Sequence, residues 1–270
     1  MWLKLNIGIL SKRKTMFTGK MKQFFENNTG FNVKIYTLDN LSINDTLLSN
    51  DFFILKSKNL FFIYAGQYLK ANEIPVIPDP DISFLQKNRI HSYFLIKKAR
   101  LSPPNIYLST VETLKKELNN NDFPLILKPI MGSGSKGVKI INSFKDLRAY
   151  NSNKILYLEK YIKGEHYNVY FIGDEICTLI KPPLSNEHVH MEFIQTPKDI
   201  EMVIQKWKNL LRENGFFGHL DIVREESSNK LYIVDPGSFP EFDQWQVDNI
   251  SPVETICNLI LKRFREFRNI

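Results

Sequence analysis

Residues 123–141 read FPLILKPIMGSGSKGVKII. An apolar strand delivers Lys128, a loop with Gly132, Gly134 and Gly137 follows, and a second strand resumes at Val138. Glycines let backbone N–H groups come close to an anion, and Ser133 and Ser135 add hydroxyl donors. A lysine on the strand entering such a loop is placed to meet phosphate oxygens. The order GKS/T is absent and a strand, not a helix, follows, which excludes a P-loop and a dinucleotide fingerprint. The competing reading is a glycine-rich hairpin with a solvated lysine. Further on, HLDIVREESSNKLYIVDPGSF sets Asp221 and Asp235 on two apolar strands joined as a hairpin. Mg²⁺ takes carboxylate oxygens, commonly one or two from protein, with phosphate oxygens completing its shell. Carboxylates inside apolar runs are costly to leave unpaired, and a metal ion accounts for both. Salt bridges are the alternative, and Asp235, directly before Pro236-Gly237, also suits the start of a turn. A third stretch, ILYLEKYIKGEHYNVYFIGDE, ends a strand near Glu159 and turns through Gly164-Glu165 into the next. Alone it says only strand–turn–strand. His188 and His190 in EHVHM stand two apart, but without a third ligand nearby a loop closing over substrate fits them better than a metal pair.

These residues need elements to hold them. Apolar runs at 5–10, 33–36 and 52–55 alternate with mixed segments such as 18–27, a rhythm that predicts a small α/β domain with parallel strands. Pro75, Pro78 and Pro80 punctuate its end. A helix over 82–99 follows, stopped by Pro103-Pro104. A short helix over 110–118 takes its cap from Ser109 or Thr110, with Glu112 in the first turn. Strands are expected at 125–128, 137–141, 155–161, 168–172 and 176–180. A helix near 200–214 carries Met202, Val203, Trp207, Leu210 and Leu211. Strands at 217–224 and 230–234 precede a terminal helix over 252–267. Its LKRFREFRNI end is a basic amphipathic face, read as a solvated helix surface ahead of a membrane or nucleic-acid contact.

The composition limits the class. The 270 residues carry 36 Lys+Arg against 29 Asp+Glu, a net charge of +7, and 43% of them are hydrophobic. That excludes a disordered chain and a fibre, and the length suits about two domains. Two cysteines, Cys177 and Cys257, make neither a disulfide framework nor a zinc site by themselves, which favours a cytoplasmic setting. The opening MWLKLNIGIL is too short to span a bilayer and lacks a small-residue cleavage site; it reads as a first buried strand. No membrane association is expected.

Taken in order, a strand lysine, a glycine-rich loop, an E-x-Y-I hinge with G-E, and two strand carboxylates resemble the ATP-grasp superfamily. The resemblance covers nearly the whole chain. It implies a mixed α/β and α+β fold: an α/β domain at 1–80 and an ATP-grasp domain at 81–270. The latter divides into a central lid subdomain at 81–160 and a C-terminal metal and substrate subdomain at 161–270. It implies ATP and Mg as cofactors. Lys128 and Arg89 would contact ATP phosphates, with Ser133, Gly134 and Ser135 as the covering loop. Glu159 and Tyr161 would hold adenine, Glu165 would lie near the ribose, and Asp221 and Asp235 would hold Mg²⁺.

Within that superfamily the chain most resembles the inositol 1,3,4-trisphosphate 5/6-kinases. VIPDPDISFLQKNRIHSY, VYFIGDEICTLIKPPL and GHLDIVREE with LYIVDPGSFPEF are similar to that family's segments. So is Ser11-Lys12-Arg13-Lys14 after the first strand, and ILKSK places Lys56 where a substrate-phosphate lysine belongs. The resemblance implies transfer of the γ-phosphoryl of ATP to a hydroxyl of a small anionic phosphorylated polyol, with no nucleic acid as partner. Lys128, Lys136 and Asp221 would be catalytic. Lys12, Arg13, Lys56, Lys181 and Ser238 would bind the acceptor, with His166 or His188 as further candidates. The departures from that pattern are Gly237 in place of a metal-binding asparagine, Asn168 in place of a lysine, a shorter loop around Lys136, and Glu241 in place of a glycine. The alternatives are a carboxylate–amine ligase working through an acylphosphate, and a catalytically weakened ATP-binding module. A ligase wants an arginine for each substrate carboxylate, and few arginines stand outside the last helix, which tips the sequence toward the kinase.

Overall fold

The computed structural model describes residues 4–132, 137–182 and 191–268. The three apolar runs become parallel strands β1 (Asn6–Leu10), β2 (Asn32–Tyr36) and β3 (Phe52–Leu55). Helix α1 (Met16–Thr29) links the first two, and α2 (Leu60–Ala71) leads from β3 to the short β4 (Val76–Ile77), giving the order β2-β1-β3-β4. Thr15 starts α1 with a capping box shared with Thr18, and Gly30 ends it in the left-handed region. The crossover length and alternating pattern explain why this sheet is parallel.

The single helix expected over 82–99 is two. Helix α3 (Pro80–Lys87) and helix α4 (Arg89–Lys98) are separated by Asn88. Asn88 has extended backbone (φ −86°, ψ 115°), and its side-chain oxygen accepts from the N–H groups of Ile90 and His91. It also forms a bridge with Met131, and the Arg89 N–H donates to the Ile130 carbonyl. Pairing with the glycine-rich segment replaces helix continuity at that point.

The central unit is an antiparallel sheet of β5 (Ile106–Thr110), β6 (Leu125–Lys128), β7 (Lys139–Ile141) and β8 (Ile155–Lys160) in the order β5-β8-β6-β7. Two helices cover it, α5 (Val111–Glu117), capped by Thr110 as expected, and α6 (Phe144–Leu147). Beyond it lie β9 (Gly164–Ile172), β10 (Glu175–Lys181) and β11 (Glu192–Ile194). Helix α7 (Lys198–Leu211), β12 (Phe217–Glu225), β13 (Leu231–Gly237) and α8 (Pro252–Arg268) complete the chain. The five strands order as β11-β10-β9-β12-β13, all antiparallel.

This larger sheet buries both faces. Val169, Phe171, Leu220 and Ile222 meet α4 and α7 through Ile96, Ile204 and Trp207. Its other face turns toward the parallel sheet, and α8 fills the space between. Ile256, Ile260 and Phe264 of α8 lie in one apolar cluster with Ile7, Phe25 and Phe52 of the first unit and Ile172 and Phe217 of the third. Among the described residues no helix is long and apolar enough to cross a membrane.

Candidate active site

Along that inward face the sheet turns from apolar to polar toward one end. Strand register sets Asp221 of β12 opposite both Asn168 of β9 and Asp235 of β13, and His219 opposite Gly237. Side chains two residues apart on a strand share a face, so His166, Asn168, His219, Asp221 and Asp235 line one polar surface. The strand β13 continues, after a register shift at Val234, through Pro236 to Gly237, so Asp235 is a strand residue and not the start of a turn.

The two carboxylates are only partly satisfied by protein. Asp221 Oδ2 receives the Lys181 ammonium at 2.8 Å, while its Oδ1 is buried with no hydrogen-bond partner among the described residues. Asp235 Oδ1 receives one Arg89 nitrogen at 3.2 Å. A buried orphan carboxylate oxygen facing a second carboxylate suits a hard divalent cation whose remaining ligands come from phosphate and water. The described residues hold no group of three or more acidic, cysteine or histidine ligands that would make an all-protein cage.

Lys128, at the end of β6, is buried. Its ammonium reaches Glu159 Oε2 at 2.5 Å and the Val234 carbonyl of β13 at 3.2 Å, and so ties the central sheet to the larger one. The other Glu159 oxygen accepts from the Tyr157 hydroxyl at 2.9 Å, and burial beside that carboxylate pushes the Tyr157 phenol far above its ordinary range. The Glu159 side chain is therefore engaged within the protein. Arg89, also buried, donates to the Pro129 carbonyl at 3.1 Å, so it grips the entry to the glycine-rich loop with one nitrogen and Asp235 with another. Arg89, Tyr157, Glu159 and Asp235 border one narrow crevice between the sheets. Tyr161 is half-buried, and its N–H donates to the Pro124 carbonyl. Glu165 is exposed and accepts from the Tyr167 hydroxyl.

The expected acceptor lysines are placed unequally. Lys56, at the end of β3, is buried against Glu241 (3.0 Å) and the Pro240 carbonyl (3.1 Å), with its ammonium over the rings of Phe17 and Phe239. Burial lowers its pKa despite Glu241. It fastens the first unit to the segment after β13. Lys181 is held by Asp221. Lys12 and Arg13, beyond β1, are exposed at the same edge of the parallel sheet, and Ser238 is buried just past β13. Ser133, Gly134, Ser135 and Lys136 lie outside the described residues, as do His188 and His190.

Sequence reasoning missed three groups here. Lys58, two residues past Lys56, sits beside Gly237; burial lowers its pKa to about 8, opposed by Asp235 and Asp221. Lys87, at the end of α3, is lowered by burial near Asp235. Among the described residues His219 Nδ1 and His166 Nε2 are buried without a hydrogen-bond partner of standard geometry, and burial followed by a lysine charge (Lys58 for His219, Lys181 for His166) lowers both imidazoles. The signal for Lys58 was present in ILKSK, which holds two lysines of the same side of an extended segment.

A model of the ATP-grasp domain matches residues 86–235, more than half of the chain. The chain belongs to the ATP-grasp family. Solved ATP-grasp structures are similar over nearly their whole length. A D-alanine–D-alanine ligase from Bacillus anthracis superposes with a TM-score of 0.74 at 16% identity, covering 98% of this chain and 99% of that one. A RimK domain protein from Sphaerobacter thermophilus gives 0.78 at 10% identity, covering 94% and 98%. The ATP-grasp ligase PsnB with its minimal precursor gives 0.69 at 12% identity, covering 95% and 99%. No curated protein sequence matches this one. The fold is thus the ATP-grasp fold, and the protein belongs to a family of ATP-dependent enzymes that bind ATP and Mg²⁺.

Proposed function

We propose that this ATP-grasp protein is a carboxylate–amine ligase. A carboxylate oxygen of the substrate attacks the γ-phosphorus of ATP, the bond to the β-phosphate oxygen breaks, and ADP leaves. The amine nitrogen of a second substrate then attacks the acyl carbon, inorganic phosphate departs, and the amine loses a proton. Mg²⁺ on Asp221 and Asp235 would neutralise charge on the phosphates. Arg89 orients Asp235 and the glycine-rich loop, Lys181 orients Asp221, and the Lys128–Glu159 pair fixes the central sheet against β13 beside the phosphates.

The observation that carries this reading is the state of the acceptor-side cations. Lys56 is bound to Glu241 and Lys181 to Asp221, and Asn168 adds no charge. A polyphosphorylated inositol needs several free cations converging on it, whereas a carboxylate carries one charge. The likeness to two ligases over 95% or more of this chain supports the same reading. The second reading is phosphoryl transfer to a hydroxyl of a phosphorylated polyol, and the exposed Lys12 and Arg13 favour it. Two free, buried thiols, Cys177 and Cys257, suit the cytoplasm.

The test is turnover with ATP and Mg²⁺ against amino acids, peptides and inositol phosphates. Phosphate release that requires both a carboxylate and an amine is the expected result. A phosphate ester formed from an inositol phosphate, with no free phosphate, would replace the ligase by the kinase. Nucleotide binding without turnover on any acceptor would leave a weakened binding module.

A further inference from the structure

We propose that the Lys58 ammonium takes the place of a second divalent cation at the phosphate end of the cleft, so that Asp221 and Asp235 share a single ion. The inference rests on the reading of this site as one for phosphoryl transfer from ATP, whichever oxygen accepts.

The strand β13 provides two inward positions near the site, Asp235 and Gly237, two residues apart and facing Asp221 and His219 across the hairpin. A second metal ion would need further oxygen ligands, and position 237 is where the strand could present one. It has no side chain, and the room is taken. A Cβ built on Gly237 would lie 2.3 Å from Lys58 Nζ and 1.9 Å from His219 Cε1. Nitrogen therefore stands where a third oxygen ligand would project. The lysine comes from the C-terminal edge of the parallel sheet, where open α/β sheets bind ligands. It makes no hydrogen bond or ion pair among the described residues, although Asp235 and Asp221 both act on its charge. An ammonium carries three donors, and one that touches neither carboxylate keeps all three for an incoming anion. A cation on the transferred phosphoryl group is the service a second metal ion performs in two-metal sites.

The experiment counts metal ions. Mn²⁺ is titrated into the full-length protein with saturating AMPPNP, and bound Mn²⁺ is read by electron paramagnetic resonance. One Mn²⁺ per chain is expected for the wild type. Lys58→Ala should keep one Mn²⁺ and weaken AMPPNP by about tenfold or more, the effect of losing a charge-assisted hydrogen bond. Two Mn²⁺ bound by the wild type, or AMPPNP affinity unchanged in Lys58→Ala, would overturn the inference while leaving the ATP site intact. Absence of AMPPNP binding by the wild type would remove both. Because the wild-type count needs no variant, a misfolded substitution does not protect the idea.

Discussion

Lys128 and Glu159 form a buried ion pair whose two members come from neighbouring strands of the central sheet. Removing one partner of such a pair leaves an uncompensated charge inside the protein, at a cost of about 3–5 kcal/mol. Lys128→Ala should therefore lower stability by that order in urea denaturation as well as abolish turnover. Lys128→Met combined with Glu159→Gln should recover most of the stability and none of the activity. A Lys128→Ala protein as stable as the wild type would show that the lysine serves phosphate alone. Asp221→Asn should reduce turnover by at least about a hundredfold, the scale of losing a group that stabilises transition-state charge. His166 and His219 add a pH dependence. Both have pKa values below the ordinary 6.5 in the folded protein because they are buried. As pH falls through 6.5 the unfolded chain binds protons first, so stability is lost on acidification. Thermal unfolding of the metal-free protein should show Tm falling from pH 6.5 to 5, with a shallower slope in His166→Gln.

Among the elements, the break at Asn88 is the most consequential for the site. It ends α3, caps α4 and lets the next residue, Arg89, hold both Pro129 and Asp235. Asn88→Ala should cost about 1 kcal/mol, the usual value of an N-cap. ATP affinity should fall by more than that stability loss accounts for, which isothermal titration beside urea denaturation can separate. The break was not legible in the sequence, because residues 82–99 carry a helical pattern throughout and the deciding partner, Met131, is distant in the chain. The parallel strands and the Thr110 cap were legible because they rest on local pattern. Asp235 left two readings open, and sheet position decides between them. The strand β13 is an edge strand, where Pro236 can lack an N–H without breaking a ladder. Lys56 and Lys58 differ for a similar reason. Both follow β3, and only the positions of Glu241 and Gly237, far along the chain, show which lysine is tied and which is not.

At the scale of the molecule, one apolar cluster joins the parallel sheet, the large antiparallel sheet and α8. Phe52 of β3 and Phe264 of α8 stack with ring centroids 4.3 Å apart. Phe264→Ala should cost about 3–5 kcal/mol, as other large-to-small core changes do. Because the cluster crosses both units, calorimetry should record the parallel sheet and the large sheet melting in one transition. Two separated transitions would show that the units fold independently. The central sheet has its own core around Val111, Leu114, Leu125 and Leu158, attached to the rest through Lys128 and Arg89. Part of the +7 charge is now located. Lys56, Lys58, Lys87, Lys128, Lys181 and Arg89 gather about four carboxylates, Asp221, Asp235, Glu159 and Glu241.

The placement of α8 also sets an order of events during synthesis. Ile7, Phe25 and Phe52 emerge from the ribosome well before Ile256, Ile260 and Phe264, which cover them. The nascent parallel sheet therefore waits with apolar surface open to water until α8 has been made, a state that invites chaperones and self-association.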